Sequence, residues 1–358
     1  MRRLRKRDWA LAEEMFASFQ HDRTILGAAL HDAESRVFLD DLNRPTVALI
    51  WARPGVSFLA GALDPDAVRA CLGSAIQRLS AEKRELRFVS LLSAEWADLL
   101  QSQYGHAFFV MERVGFVWRG TSSPPATPTI PPEAVVAPID EEWASRIPQE
   151  LDPSFALAWP TPAAFLAQGR GYCVLFEDQL ASVAYVCAPH GGEAEVGVAT
   201  AERFRRRGFC RLACAALMHD CHARGLTLCW SAFKYNHPSV ATARALGFSE
   251  DATYLWAQCT PWNAHRRSVP VSRAQLEAYC GEYELPGGRR LYISAEGDEL
   301  RIQFWTRSRP RHTLLSESDT SFFLAEDDIQ LSFRGGVGGR TSLAFTMHGE
   351  EQEGKRSV

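Results

Sequence analysis

Residues 200–211 read TAERFRRRGFCR, with Arg203, Arg205, Arg206, Arg207 and Arg211 crowded around one glycine. An apolar run, EVGVAT, leads in, and a helical pattern, FCRLACAALMHDCHARG, leads out to Gly225, a natural helix stop. Gly208 permits a tight backbone at the helix start, so several peptide N–H groups converge on one point. An electropositive turn of this kind suits an anion, phosphate above all. It is not a P-loop, which needs Lys-Ser or Lys-Thr after its glycines, nor a dinucleotide fingerprint, which needs G-x-G-x-x-G.

The chain around this turn is acidic, not basic: 358 residues carry a formal net charge of -4, with 46% apolar and 23% charged residues. That is the composition of a globular protein of two or three domains. Basic residues form no extended stripe with interleaved aromatics, so nucleic acid is not an expected partner. No run of about 18 apolar residues suggests a membrane span, and MRRLRKRDWALAEEMF lacks the core and cleavage site of a secretory signal. Nine cysteines, odd in number and mostly inside apolar runs, read as thiols in a reducing cytoplasm. Cys210, Cys214, His219 and Cys221 match no zinc spacing, so no metal is expected.

A second motif lies downstream of the arginine turn. In NHPSVATARALGF, Asn236 caps a short helix with Pro238 in its first turn. Together the two stretches resemble the acyl-CoA signature of the GNAT acetyltransferase superfamily: Arg or Gln, two residues, Gly, one residue, then Gly or Ala. Arg205, Gly208 and Cys210 fill those positions, with Cys as a small departure. Asn236, Ser239, Leu246, Gly247 and Phe248 fall in register with the family's later Asn-x-x-Ser/Ala and Leu-Gly-Phe elements. The resemblance implies acetyl-CoA as cosubstrate. Val198, Ala199 and Thr200 would pair with its pantetheine arm, and the turn formed by Arg205, Arg206, Arg207, Gly208, Phe209, Cys210 and Arg211 would cradle the pyrophosphate. Asn236 and Ser239 would hold the pantetheine further along.

Acetyl transfer to an amine needs a polarised carbonyl, a neutral amine and a leaving thiolate. A strand N–H near Val198 answers the first. Glu195, with Glu193 behind it, is the candidate base for the second. For the third, many relatives carry a tyrosine where this chain has Ala243, which leaves Tyr254, Tyr185 or water as the proton donor. The partners implied are acetyl-CoA and an amine acceptor. A silent acyl-CoA sensor and a partner-binding scaffold stand as alternatives.

The flanks complete the reading. Residues 1–120 alternate helical stretches with short apolar runs, SRVFLDD, TVALIWA, VSFLAGA and LRFVSLL, and Asp64-Pro65 opens a long helix. This part resembles the degenerate lobe of the GNAT subfamily that includes the zwittermicin-resistance acetyltransferase, which implies small amines as substrates. A Pro-rich linker, residues 121–138, precedes the acetyl-CoA-binding domain at 139–262, which opens with a hairpin tipped by Glu177-Asp178-Gln179. From 272 to 358 short strands and glycine turns read as a small barrel or sandwich, similar to the domain appended to penicillin-binding-protein-like serine hydrolases. There Tyr292, Trp305 and Phe323 are core residues or the lining of a ligand cavity. The expected fold is therefore α+β, two tandem GNAT-like lobes with a C-terminal all-β domain. Two lobes in one chain mimic a dimer and favour a monomer.

Overall fold

The short apolar runs become strands in the computed structural model, which describes residues 9–53, 55–119, 125, 129, 131–305, 311–335 and 342–357. These residues form two units, described in turn: 9–94 with 111–256, and 95–110 with 257–357.

The first begins with helices α1 (Ala10–Phe16) and α2 (Arg23–His31) and strands β1 (Arg36–Leu39), β2 (Val47–Ala52) and β3 (Val56–Gly61). Helix α3 (Pro65–Ala81) follows because Asp64 holds the extended conformation of a cap and accepts from the amides of Asp66 and Ala67 at 2.9 and 2.8 Å. Replacing this cap, Asp64→Ala, is expected to cost about 1 kcal/mol in chemical denaturation. Strand β4 (Phe88–Leu91) follows, then helix α4 (Ala94–Tyr104), which after its first residue belongs to the second unit, and strand β5 (Phe108–Trp118), which returns to the first from Met111 on.

Next come β6 (Ala134–Pro138), three helices, α5 (Glu141–Glu150), α6 (Ser154–Ala158) and α7 (Pro162–Gln168), and the hairpin β7 (Gly171–Phe176) and β8 (Gln179–His190). The linker expected over 121–138 is thus shorter at its C-terminal end: Ala134–Pro138 pairs antiparallel with β7, since Val135 and Val136 supply a strand pattern and Pro138 stands at its last position. Most of the remaining linker lies outside the described residues. The hairpin tip is two residues, not three: Glu177 and Asp178 both have positive φ, 51° and 58°, while Gln179 already pairs with Phe176. Strand β9 (Glu193–Thr200), helix α8 (Phe209–Ala223), strand β10 (Thr227–Phe233), helix α9 (His237–Ala245) and strand β11 (Ser249–Cys259) follow.

All these strands join in one sheet, ordered β1-β2-β3-β4-β11-β5-β10-β9-β8-β7-β6. The order records an exchange. Strand β5, last of the first lobe, lies beside β10, and β11, last of the second, lies beside β4. One core gathers α1, α2 and β1–β3 around Phe16, Val37, Ile50 and Phe58, and takes Tyr254 and Trp256 from β11. Another packs α8, through Leu212, Leu217 and Met218, on the sheet strands β7 to β10. On the opposite face Phe155, Phe165 and Tyr185 cluster under α5–α7.

The second unit carries α10 (Arg273–Tyr279) and a closed barrel of eight strands: β12 (Gly281–Glu284), β13 (Arg290–Glu296), β14 (Glu299–Phe304), β15 (His312–Ser316), β16 (Ser321–Leu324), β17 (Ile329–Arg334), β18 (Ser342–Met347) and β19 (Glu350–Arg356). Closure removes the exposed edges that such short strands would otherwise present. Its interior is filled by Tyr283, Leu291, Leu300, Ile302, Phe322, Leu331 and Phe345, so it is a packed core. Tyr292 and Phe323 alternate with inward residues and therefore point outward; Phe323 is fully buried against His106 and Arg266. Trp305 packs on Phe304 and Phe345 beneath the Arg289 guanidinium. Asn263, in the stretch between β11 and the barrel strands, is buried and donates to the carbonyls of Leu324 and Ala325.

Candidate active site

Strands β9 and β10 pair in parallel at only three positions, Thr227 with Glu193, Leu228 with Ala194 and Cys229 with Glu195. Beyond Glu195 both continue, β9 to Thr200 and β10 to Phe233, each paired only on its far side, β9 with β8 and β10 with β5. The two strands splay, and an open wedge of unpaired backbone results. The Ala201 N–H donates to Ala181 at 2.9 Å, and the Ala199 carbonyl accepts from Ser182 Oγ. Backbone direction alternates along a strand, so Val198 and Thr200 turn their groups away from β8 and into the wedge. The Thr200 carbonyl accepts from Arg205 Nε at 3.4 Å, which ties the wedge to the arginine turn.

That turn places Arg206 at φ 64° and Gly208 at φ 85°, a reversal that aims successive amides toward one point ahead of α8. The guanidinium of Arg207 rests over Phe176 and Phe204, and Arg206 and Arg211 are exposed. Cys210 does not crowd the turn. Its thiol is partly buried, with Sγ 4.0 Å from Cys214 Sγ, and bonds to Cys214 and Thr200 lower its pKa. Asn236 and Ser239 have structural duties as well: Asn236 Oδ1 accepts from the Ser239 amide at 3.4 Å, and Ser239 Oγ accepts from Trp230 Nε1 at 3.0 Å.

Glu195 stands where the strands part and is 7% exposed. Its Oε1 accepts from Ser231 Oγ at 2.6 Å, and the Ser231 amide also faces the carboxylate. Burial pushes its pKa up to about 7, Asp22 adds to the rise, and Ser231 and Arg113 oppose it. Behind it lies a chain of buried polar groups. Arg113 Nη2 donates to Ser231 Oγ at 2.6 Å and Arg113 Nε to Tyr254 Oη at 3.4 Å. Tyr254 donates to Asp22 Oδ1 at 2.6 Å, while Asp22 Oδ2 accepts from Ser90 Oγ and Trp256 Nε1 at 2.9 and 2.7 Å. Arg113 also stacks on Trp256 and Phe233, 4.0 and 4.7 Å from the ring centres. Asp22 has a left-handed backbone, φ 52°, and leaves the amides of α2 uncapped in order to reach this network.

A cleft of about 30 Å³ opens beside Glu195, lined also by His21, Thr24, Gly115, Asp251 and Tyr254. It has room for roughly two waters or the tip of a small group. Thr24 Oγ1 and His21 Nε2 are buried there without a hydrogen-bond partner. The His21 ring is held by stacking on Tyr254, 4.2 Å between centroids, and burial lowers its pKa against the pull of Asp22 and the Leu91 backbone. Its neutral ring therefore offers a nitrogen to whatever enters the cleft.

Of the expected residues, the structure brings Glu195, Val198–Thr200 and the arginine turn to one edge of the wedge. Glu193 lies two residues back, held by Arg23 at 3.4 Å. The two tyrosines are both committed: Tyr185 donates to Asp152 at 2.9 Å, Tyr254 to Asp22, and burial raises the pKa of each. Ala243 is fully buried in the core. Sequence reasoning passed over Asp22, Arg113 and Ser231. The signal for Arg113 was a lone arginine within FFVMERVGFVW, a strand whose other charged residue is the neighbouring Glu112. Among the described residues no metal-binding cluster of His, Cys, Asp or Glu occurs, and no helix is long and apolar enough to cross a membrane.

A family model for the GNAT acetyltransferases matches residues 13–256, and a second, described as a domain of unknown function (DUF3471), matches residues 265–356, which include the barrel. The chain is 25% identical over 234 residues, 65% of its length and 85% of the relative's, to an uncharacterized N-acetyltransferase, YdfB, of Bacillus subtilis. Among solved structures it resembles a GCN5-related N-acetyltransferase-like protein of Streptococcus suis, with TM-score 0.58 and 21% identity over 70% of this chain and 98% of that one. A GCN5-related N-acetyltransferase of Sphaerobacter thermophilus aligns with TM-score 0.51 and 12% identity over 73% of this chain and 95% of the other. With its splayed strands and arginine turn, and a family match spanning both lobes, the chain belongs to the GNAT acetyltransferase family.

Proposed function

We propose that the protein transfers an acetyl group from acetyl-CoA to the amine of a small molecule, with Glu195 as the general base. The observation that carries the reading is a buried carboxylate with a pKa of about 7 at the point where β9 and β10 part. Such a group is about half ionised at neutral pH and basic enough to accept a proton from an ammonium entering the cleft. Acetyl-CoA would supply the thioester, its pantetheine along Val198, Ala199 and Thr200 and its pyrophosphate on the amides of residues 206–211. Asn236 and Ser239 shape the β10–α9 corner of the same site. The Val198 N–H, directed into the wedge, would polarise the thioester carbonyl.

Glu195 takes one proton from the ammonium, the neutral nitrogen forms the new C–N bond, and as the C–S bond breaks the nitrogen gives up its second proton to water. The departing thiolate takes its proton from water, since Tyr185 and Tyr254 are engaged elsewhere; a thiol pKa of about 8.5 makes that departure feasible. The narrow cleft supports a small, unhindered amine, in keeping with the resemblance to the zwittermicin-resistance subfamily. The barrel we assign to covering or recognising substrate, or to assembly.

Calorimetric titration with acetyl-CoA, desulfo-CoA and ATP tests the donor site. Micromolar binding of both CoA compounds and none of ATP is expected. Combining Arg206→Ala with Arg207→Ala is expected to weaken acetyl-CoA about tenfold and to flatten its salt dependence. Binding untouched by both changes would make the arginine turn a charged surface and favour a partner-binding scaffold.

A further inference from the structure

We propose that Arg113, delivered by the exchanged strand β5, is a positioning residue for Glu195, and that Asp22 of the first lobe governs it by competing for the same guanidinium. The inference rests on the reading of Glu195 as the base. It begins with the donor inventory: arginine only donates, so the Ser231 oxygen accepts from Arg113 Nη2 and its one hydrogen is left for Glu195 Oε1. In the other direction Arg113 Nε donates to Tyr254, whose hydrogen goes to Asp22. One buried cation thus serves two buried carboxylates, each through a hydroxyl.

The charges do not balance when both acids are ionised. Arg113 and Asp22 cancel, and an ionised Glu195 leaves one net negative charge in a buried site; protonation of Glu195 restores neutrality. The degenerate lobe therefore contributes to catalysis by holding part of the cation away from the base. The other groups facing Glu195 do not supply a second buried cation. Cys187 on β8 donates to the Glu195 carbonyl at 3.4 Å, Cys229 lies beside it on β10, and Asp251 and neutral His21 line the cleft. Arg23, at the cleft wall, is half-exposed and bound to Glu193.

The test follows the Glu195 carboxyl directly, by carbon NMR of protein labelled at glutamate, with the resonance assigned through Glu195→Gln. Arg113→Met is expected to raise its titration midpoint by about one pH unit or more, and Asp22→Asn to lower it by about one. Arg113→Lys, which keeps the charge, should fall between Arg113→Met and the unaltered protein. Ser231→Ala, a mild change at a strand position, should raise the midpoint even if the Arg113 variants fold poorly. Opposite shifts from the Arg113→Met and Asp22→Asn changes support the proposal. Shifts of the same sign, or an unmoved midpoint in Ser231→Ala and Asp22→Asn, would overturn it. Turnover of Glu195→Gln is measured separately: unchanged turnover sinks the base reading alone, whatever the titrations show.

Discussion

Glu195→Gln is expected to bind acetyl-CoA as the unaltered protein does, to lose a factor of about 10² to 10⁴ in kcat, and to be more stable at pH 8. The first two effects follow from removing the base while keeping an oxygen for Ser231, whose hydroxyl now donates to Oε1 at 2.6 Å. The third follows from linkage. The folded protein holds the Glu195 proton to about pH 7, whereas an unfolded glutamate releases it near its ordinary value of 4.5. Between those values the folded state binds more protons than the unfolded state, so this residue's contribution makes stability fall as pH rises from about 4.5 to about 7 and leaves it flat above. The cost at pH 8 is roughly 3 kcal/mol as an upper bound. Glutamine does not titrate and escapes it. Urea denaturation at pH 5 and pH 8 checks this: a stability gain confined to the higher pH, together with lost turnover, marks a base kept at the expense of the fold. The same pKa predicts that kcat/KM for an amine acceptor falls tenfold per pH unit below about 7.

Asp22→Ala is expected to destabilise the first unit by about 3 to 5 kcal/mol. The side chain accepts from Ser90, Tyr254 and Trp256 and offsets the buried charge of Arg113. Alanine leaves three buried donors without that acceptor and Arg113 with Glu195 as its one remaining buried counter-charge. Arg113 holds its proton firmly, since the nearby Tyr254, Asp22 and Glu195 outweigh the effect of burial, so it cannot escape by neutralising. In a calorimetric scan the transition of this unit should fall by about 10 °C. A shift within 2 °C, on the same scale, would show that water fills the site at little cost. Asp22→Asn keeps one acceptor oxygen and should cost clearly less, which makes it the suitable partner for the titrations above.

Much of the molecule was legible in its sequence, for reasons of local physics. A glycine at positive φ before a helix has to be small or strained, and the residues around Gly208 therefore announce the turn themselves. Asp64-Pro65 and Asn236 act as caps within three residues of their own position, and alternation in 281–356 marks barrel strands one by one. Glu195 was legible as a carboxylate on the strand entering the turn. Its depth, its bond to Ser231 and its raised pKa were not, because burial is a property of what packs on a residue and not of the residue. Sequence order likewise concealed the exchange of β5 and β11, since pairing across more than a hundred residues leaves no local trace. That exchange sets Arg113 beside Ser231 and Tyr254 beside Asp22, which lie 118 and 232 residues apart along the chain. By itself, then, the sequence determined the elements and the glycine turn ahead of α8, where each residue acts on near neighbours. Only the tertiary structure decided which lobe completes the surroundings of Glu195, because a buried charge is balanced by whatever the fold brings within hydrogen-bonding distance.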